Sequence, residues 1–442
     1  MLLQEARTIF ETVYKECQNS GYFDRYLLNE WWRANEKDLV TIIRQADSAA
    51  HALSEVQSLI HFSVYTTYSD PQRINDYIQW MIDYLQQKNI DLFSFPEYVQ
   101  EAEFFKPDNV VDINGRRLSP DFLRFFELWQ TIRSETKLSE DNTTRILELG
   151  SGYGAQARMA KLLNPKATLY LVDLPFSSFF AYLFIKSNFP EAKTLYLSDA
   201  TDTAKLKDDW DFVFVPTIFS DALEDLEFDI FINTNSMTEM HNDVITYWFN
   251  FLQIAGRVGY IYLDNRFINR CEEDDHRTDE NACFGSLDAQ WELQYWAYDD
   301  PATHSPYLAT LHPTNLRLIA KGPTTLKLPE ELAAKSGTLF DQVKSEDWFL
   351  ESLRLKEDGN HAIEISRYLN FWPRTFGPHR FDGSISGTLY KLWDAIRLNP
   401  TADKIVAMLA YLKFISTGIP PGFRIEEEYF YENLLKRMSN DD

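Results

Sequence analysis

The sequence predicts an α/β protein built on a doubly wound, mostly parallel seven-stranded sheet, with one helical region before it and another after it. Three observations carry this. Short β-branched and aromatic runs alternate with helical runs from about residue 143 to 322. One of them, Arg145 to Leu149, opens into a turn with glycines at alternate positions, Gly150-Ser151-Gly152-Tyr153-Gly154. The flanks lack the alternation and space their apolar residues as helices do.

Residues 1–118 read as a helical N-terminal region. Leu2, Leu3, Ala6, Ile9, Phe10, Val13, Tyr14 and Cys17 form one helical stripe, which Asn19-Ser20-Gly21 ends. A second stripe, Ile78, Met81, Ile82 and Leu85, marks a helix over 75–88. Trp31 and Trp32 read as core, with the alternative that this part covers a substrate pocket. Residues 119–325 form the central α/β domain. Its expected strands are 145–149, 168–173, 194–198, 211–216, 229–233 and 258–264, with helices at 156–163, 177–187 and 244–254 between several of them. Strands at 291–300 and 315–322 have no helix between them, which predicts an antiparallel pair at one edge. Residues 326–442 form a helical C-terminal region, with runs at 389–398 and 404–415 closed by Gly418-Ile419-Pro420-Pro421.

Composition excludes several function classes. The 442 residues carry 43 Lys and Arg against 67 Asp and Glu, a net charge of -24, which is the wrong sign to coat nucleic acid or an anionic membrane. Hydrophobic residues are 45% and aromatics 15%, too many for global disorder. Cys17, Cys271 and Cys283 are too few for a disulfide scaffold, and Cys271-His276-Cys283 matches no common zinc spacing, so no metal is assigned. The N-terminus lacks the features of a secretion signal and no apolar run spans a membrane, so a cytoplasmic protein is expected. The acidic excess gathers in two connecting stretches. Residues 199–229 hold ten acidic and two basic side chains, and 272–280 hold six and one. Both are expected to border the ligand side of the sheet, which favours a neutral or cationic acceptor over a polyanion.

The glycine turn carries the chemistry. Glycine fits where a backbone turns tightly at positive φ and approaches a ligand. The next strand ends in Asp173, 23 residues after Gly150, where a carboxylate can accept hydrogen bonds from both ribose hydroxyls. The pattern is G-x-G-x-G, whereas the dinucleotide fingerprint is G-x-G-x-x-G, and no Walker lysine follows. Glu148 stands two residues before the first glycine. A carboxylate there repels a pyrophosphate but suits an ammonium and a sulfonium. The electrostatics favour S-adenosylmethionine over NAD or ATP.

With those residues in view, ILELGSGYGAQA, LVDLP and FDIFINTNSMTEM together resemble the sugar O-methyltransferase family of class I methyltransferases. The resemblance spans roughly 105–322 and includes NGRRLS at 114–119 and YLDNR at 262–266. It implies a Rossmann-like methyltransferase sheet, S-adenosyl-L-methionine as cofactor and a sugar hydroxyl on a glycan or natural product as acceptor. By position, Glu148, Gly150 and Gly152 shape the methionine side of the cofactor site. Asp173 holds the ribose, Leu174 lies against adenine, and Asn233 faces the sulfonium. The adenine edge falls to Asp199 or to Pro216-Thr217, since the third strand of the sheet is not legible.

A sugar hydroxyl is a weak nucleophile, so a general base is expected just past the fourth strand, at Glu239 or His241. The ordinary alternatives are a helix-terminal carboxylate for Glu239 and a surface or capping histidine for His241. Asn265 and Arg266, after Asp264, are acceptor-binding candidates, and a loop salt bridge is their alternative. Asp264 with Asp274 or Asp275 could supply oxygen ligands to a divalent metal, but nothing in their spacing fixes that geometry. The charged loop at 271–281 is a lid candidate or a solvated loop, and His304 and His312 are weaker acceptor candidates. Two other functions stay open: O-methylation of a phenolic or other small natural product, and a non-catalytic scaffold on a methyltransferase fold. The sequence assigns no oligomeric state.

Overall fold

The computed structural model describes residues 1–22, 30–60, 71–105, 109–136, 138, 143–240, 242–254, 256–266, 291–297 and 315–322. The expected C-terminal helices, the 271–281 loop, His241, His304 and His312 lie outside the described residues.

The chain opens with α1 (Leu2–Ser20), whose predicted stripe buries Ala6, Phe10, Val13, Tyr14 and Cys17. Gly21 ends it at φ 66°, with its N–H on the Cys17 carbonyl, the left-handed stop that glycine supplies without a Cβ penalty. Helices α2 (Glu30–Gln45), α3 (Ala49–Ile60) and α4 (Pro71–Gln87) follow. The helical expectation fails at the end of this region. β1 (Val111–Ile113) and β2 (Arg116–Leu118) form a two-stranded antiparallel hairpin. Its turn is Asn114-Gly115, both at positive φ, the dipeptide that a two-residue hairpin turn favours. α5 (Pro120–Thr136) then leads into the main sheet.

That sheet contains β3 (Arg145–Leu149), β4 (Thr168–Asp173), β5 (Thr194–Tyr196), β6 (Phe212–Pro216), β7 (Phe228–Thr234), β8 (Val258–Arg266), β9 (Glu292–Ala297) and β10 (Asn315–Lys321). Helices α6 (Ala155–Leu163), α7 (Pro175–Asn188) and α8 (Asn242–Leu252) supply crossovers. The order is β5-β6-β4-β3-β7-β8-β10-β9. β10 runs antiparallel to both neighbours and the other pairs are parallel, so the chain has a Rossmann-like, mainly parallel α/β fold. Among the described residues the sheet has eight strands, one more than a seven-stranded sheet, and each falls on one of the eight runs read as strands. The run at 194–198 forms β5, three residues long, on the outside of β6. The antiparallel pair β9 and β10 forms as predicted, with β9 at the edge.

The parallel strands read as continuous apolar runs because both faces are covered. All six residues of β4 and all five of β6 are buried. One face carries Ile146, Leu169, Leu171, Phe214, Ile230, Ile232, Tyr262 and Ile319, in a core continuous with α1 to α7. The other carries Leu147, Leu149, Val172, Val215, Phe231 and Leu263 against α8. β4 and β6 extend the sheet to one side of β3, and β7 and β8 to the other. The strand order therefore reverses between β3 and β7. Ligands of open α/β sheets bind in the crevice beyond the carboxyl ends of the strands at such a point.

No described helix is long and apolar enough to cross a membrane.

Candidate functional site

The glycine turn stands at that reversal. Gly150, Gly152 and Gly154 adopt φ of 76°, 54° and 92°, so the sequence uses glycine at each left-handed position. Gly150 continues the ladder, its N–H reaching the Val172 carbonyl at 2.8 Å. A Cβ on Gly150 would overlap the Ser236 side chain, which crosses from the turn after β7. A Cβ on Gly154 would meet Ile185 Cγ1 at 3.2 Å, so this glycine lets α6 start tight against α7.

Two carboxylates flank the turn on the same sheet face. The Asp173 Oδ2 accepts the Gly152 N–H at 2.7 Å, and its Oδ1 accepts the Leu174 N–H at 2.7 Å. The strand end and the turn thus hold one another. Glu148 is 4% exposed. Burial, reinforced by the neighbouring Asp173 charge, pushes its carboxyl well above the usual carboxylate range. Leu174 is half-buried at the rim.

Asn233 is fully buried at the end of β7, opposite Leu149 in the parallel register. Its Nδ2 donates to the Leu149 carbonyl at 2.8 Å and to Ser236 Oγ at 2.5 Å, and its Oδ1 accepts the Met237 N–H at 3.2 Å. Ser236 Oγ donates to the same Leu149 carbonyl at 3.1 Å. Asn233 is thereby a clamp that fixes β3, β7 and the following turn as one edge. Beside it, Thr234 donates to Gln156 Oε1 at 3.0 Å. The Gln156 Nε2 and the Ser151 Oγ are buried without a hydrogen-bond partner. Such orphaned polar atoms in the wall of a crevice suit a polar ligand.

The base candidates are placed only by backbone. Glu239 ends the 3-10 turn Ser236–Glu239, directly past β7. Arg266 ends β8. Asn265 is fully buried on the same sheet face as Leu263, and neither its Nδ2 nor its Oδ1 has a partner. Asp264 is unsuited to a metal: its carboxylate lies 3.5 Å from Arg317 and 3.8 Å from Arg124, and Tyr262 donates to it at 3.4 Å.

Those arginines belong to a buried ionic group that sequence reasoning missed. Arg317 is fully buried and pairs with Glu127 at 2.7 Å. Glu127 also accepts Thr131 at 3.2 Å and lies 3.4 Å from Lys88. Nearly two turns earlier on α5, burial raises Asp121 to about 7, against the opposing pull of Arg124. A lone arginine in the apolar run NLRLIAKG was the available signal. Its partner is set by the antiparallel Arg317–Asp264 register, which no local pattern reveals.

The strand order chooses between the two adenine-edge alternatives. β6 lies directly beside β4, so Pro216-Thr217 and not Asp199 ends the strand next to Asp173. Asp199 instead caps the 3-10 turn Ala200–Lys205, accepting the Thr201 N–H at 2.7 Å. Part of the acidic stretch 199–229 lies away from the ligand side. Asp211 binds Lys161 at 2.6 Å, Asp209 binds Lys193 at 2.6 Å, and Asp229 accepts the Arg145 N–H at 2.7 Å. These contacts lie at strand starts, the opposite edge of the sheet from the glycine turn.

Neither protein-family models nor curated proteins give a match to this chain. Solved structures do. Magnesium protoporphyrin IX methyltransferase from Synechocystis PCC 6803, with bound S-adenosylmethionine, is 10% identical over 46% of this chain and 81% of its own, with a TM-score of 0.28. The N-terminal domain of EvdMO1, with bound S-adenosylhomocysteine, is 10% identical over 49% and 91%, with a TM-score of 0.28. Mitomycin 7-O-methyltransferase is 9% identical over 45% and 56%, with a TM-score of 0.26.

Proposed function

We propose that the chain is an S-adenosylmethionine-dependent O-methyltransferase acting on a sugar hydroxyl of a glycan or glycosylated natural product. The observation that carries the cofactor reading is the paired-acid glycine turn: Asp173 locked onto the Gly152 amide, with protonation-prone Glu148 buried beside it. Two acids at one strand edge favour a ligand bearing cationic groups. Free S-adenosylmethionine supplies both an ammonium and a sulfonium, together with a ribose for Asp173. Ser151 and Gln156 offer unfilled donors at the turn. The sugar acceptor rests on the sequence resemblance alone.

When bound, the cofactor supplies a methyl group already attached to a good leaving group. The chain's tasks are then alignment and acceptor activation. The Asn233 clamp fixes the β3 and β7 ends as one surface, and a fixed surface limits the motion between acceptor oxygen and methyl carbon. Glu239 or His241 would take the hydroxyl proton, and Asn265 with Arg266 would hold the acceptor. The buried, unpaired amide of Asn265 supports that role, since a polar acceptor would satisfy it.

Isothermal titration with S-adenosylmethionine tests the cofactor. Wild type is expected to bind, and Asp173→Ala to lose about 1.5–3 kcal/mol, the scale of a charge-assisted hydrogen bond. Absence of wild-type binding at millimolar cofactor removes the enzyme reading. Transfer of a labelled methyl to a panel of sugars and phenols then tests the acceptor. Labelling of phenols only would replace the sugar with a phenolic natural product.

A further inference from the structure

The N-terminal helices do more than fill a core. α1 runs along α7 toward the carboxyl edge of the sheet. Near its start, Tyr182 of α7 donates to Glu5 at 2.7 Å. Farther along, Phe10 packs edge-on against Phe179 with ring centroids 5.8 Å apart. Past its glycine stop, the Tyr22 hydroxyl is hydrogen-bonded to the Thr217 hydroxyl. On α2, Trp32 stacks on Phe176 at 5.7 Å and 24°. The contact points on α7 thus move steadily toward Pro175, two residues past Asp173.

Both final contacts fall at one place on the strand edge. Thr217 follows β6, which pairs with β4. Phe176 lies three residues after Asp173, in the first turn of α7. A nucleoside whose ribose is held by Asp173, and whose 5′ side faces the glycine turn on β3, extends its base away from β3. The neighbouring strand in that direction is β6. The base therefore arrives at Leu174 and Thr217, where Tyr22 is already seated and only 3% exposed.

We infer that the N-terminal helical layer is part of the cofactor site, with Tyr22 and Trp32 closing its adenosine end. This rests on the methyltransferase reading and deepens it. Tyr22 contributes a ring wall and, with Thr217, a pair of hydroxyls at the base edge. Trp32 backs the pocket through Phe176. Aromatic rings suit the flat, weakly polar face of a purine, and the hydroxyls suit its polar edge.

The test compares S-adenosylhomocysteine and free adenosine by calorimetry on the full chain. Tyr22→Ala and Trp32→Ala are expected to weaken both ligands on the order of tenfold, which is about 1.4 kcal/mol. Glu5→Gln, in the same helical layer but remote from the edge, should change either by less than about twofold. Hydrogen exchange on the wild type needs no variant. S-adenosylhomocysteine should slow exchange at the end of α1 and at 217–220 together. Unchanged affinity in both aromatic variants, an equal loss in Glu5→Gln, or no change in exchange at the end of α1 overturns the inference while leaving the cofactor reading in place. If the wild type binds neither ligand, the methyltransferase reading falls and the inference with it.

Discussion

The two faces of the sheet solve the same burial problem differently. The face packed on α8 is apolar along its strands and turns polar only at their ends, with Asn233 and Asn265. The face packed on α1 to α7 buries ionisable groups in the same layer as its apolar residues. Glu148, Asp173, Asp264 and Arg317 lie on its strands, and Asp121, Arg124 and Glu127 on the helix above. Burying charge is costly unless partners compensate, and a well-packed apolar replacement is often at least as stable. The ionic face therefore points to a role beyond stability, and it is also the face that carries both acids of the glycine turn. Its covering helices share one core with the strands from Ala6 to Ile319, which makes the N-terminal region a structural layer of the sheet.

Breaking the ionic group should give the largest effect. Arg317→Met removes the buried cation that Glu127 and Asp264 share, leaving them only the longer contacts to Lys88 and Arg124, and is expected to cost about 3–5 kcal/mol in denaturant unfolding at neutral pH. Adding Glu127→Gln to Arg317→Met should recover part of that loss, because it removes one of the buried charges left behind. No recovery in the double variant would erase the contrast between the faces.

Asp121 sharpens it. Its pKa rises from 3.8 to about 7 on folding, so between those values the folded chain holds a proton that the unfolded chain has released. Stability contributed by this group is then present in acid and falls as pH climbs from about 4 to about 7. Asp121→Asn should remove that slope and gain about 2–4 kcal/mol above neutrality, read as the difference between unfolding at pH 5 and pH 8. An unchanged slope would show that Asp121 is already solvated.

The smallest effect concerns binding alone. The Glu148 carboxyl is raised by burial, and a cationic ligand favours its charged form. Affinity for S-adenosylmethionine should rise with pH through that raised value, with release of a proton. Glu148→Gln should flatten the profile and abolish the proton release, changing affinity by about tenfold or less. Calorimetry in two buffers of different ionisation enthalpy reads the proton directly.

Much of the scaffold was legible because its signals are local. The strand-glycine-helix run needed no tertiary information: Gly150, Gly152 and Gly154 adopt the left-handed backbone that their spacing suggested. The stop at Gly21 and the antiparallel pair at the sheet edge were equally local. The Asn114-Gly115 turn is an equally local signal, set inside a region whose other apolar spacing is helical. Strand order was not legible. Whether β5 or β6 lies beside Asp173 depends on pairing across about 40 residues of chain, and that pairing selects Pro216-Thr217 over Asp199 as the strand end next to Asp173.

The sequence by itself determined the fold class, the glycine turn and its two acids, because periodicity and glycine conformation act within a few residues. Only the tertiary structure decided that Asn233 spends its amide holding β3 to β7, that Arg317 answers Glu127 and Asp264, and that Tyr22 reaches Thr217. Asn233 and Leu149 lie 84 residues apart, Glu127 and Arg317 190, and Tyr22 and Thr217 195. Register and helix packing bring them together, and both follow from burying one continuous core, which no window of sequence contains.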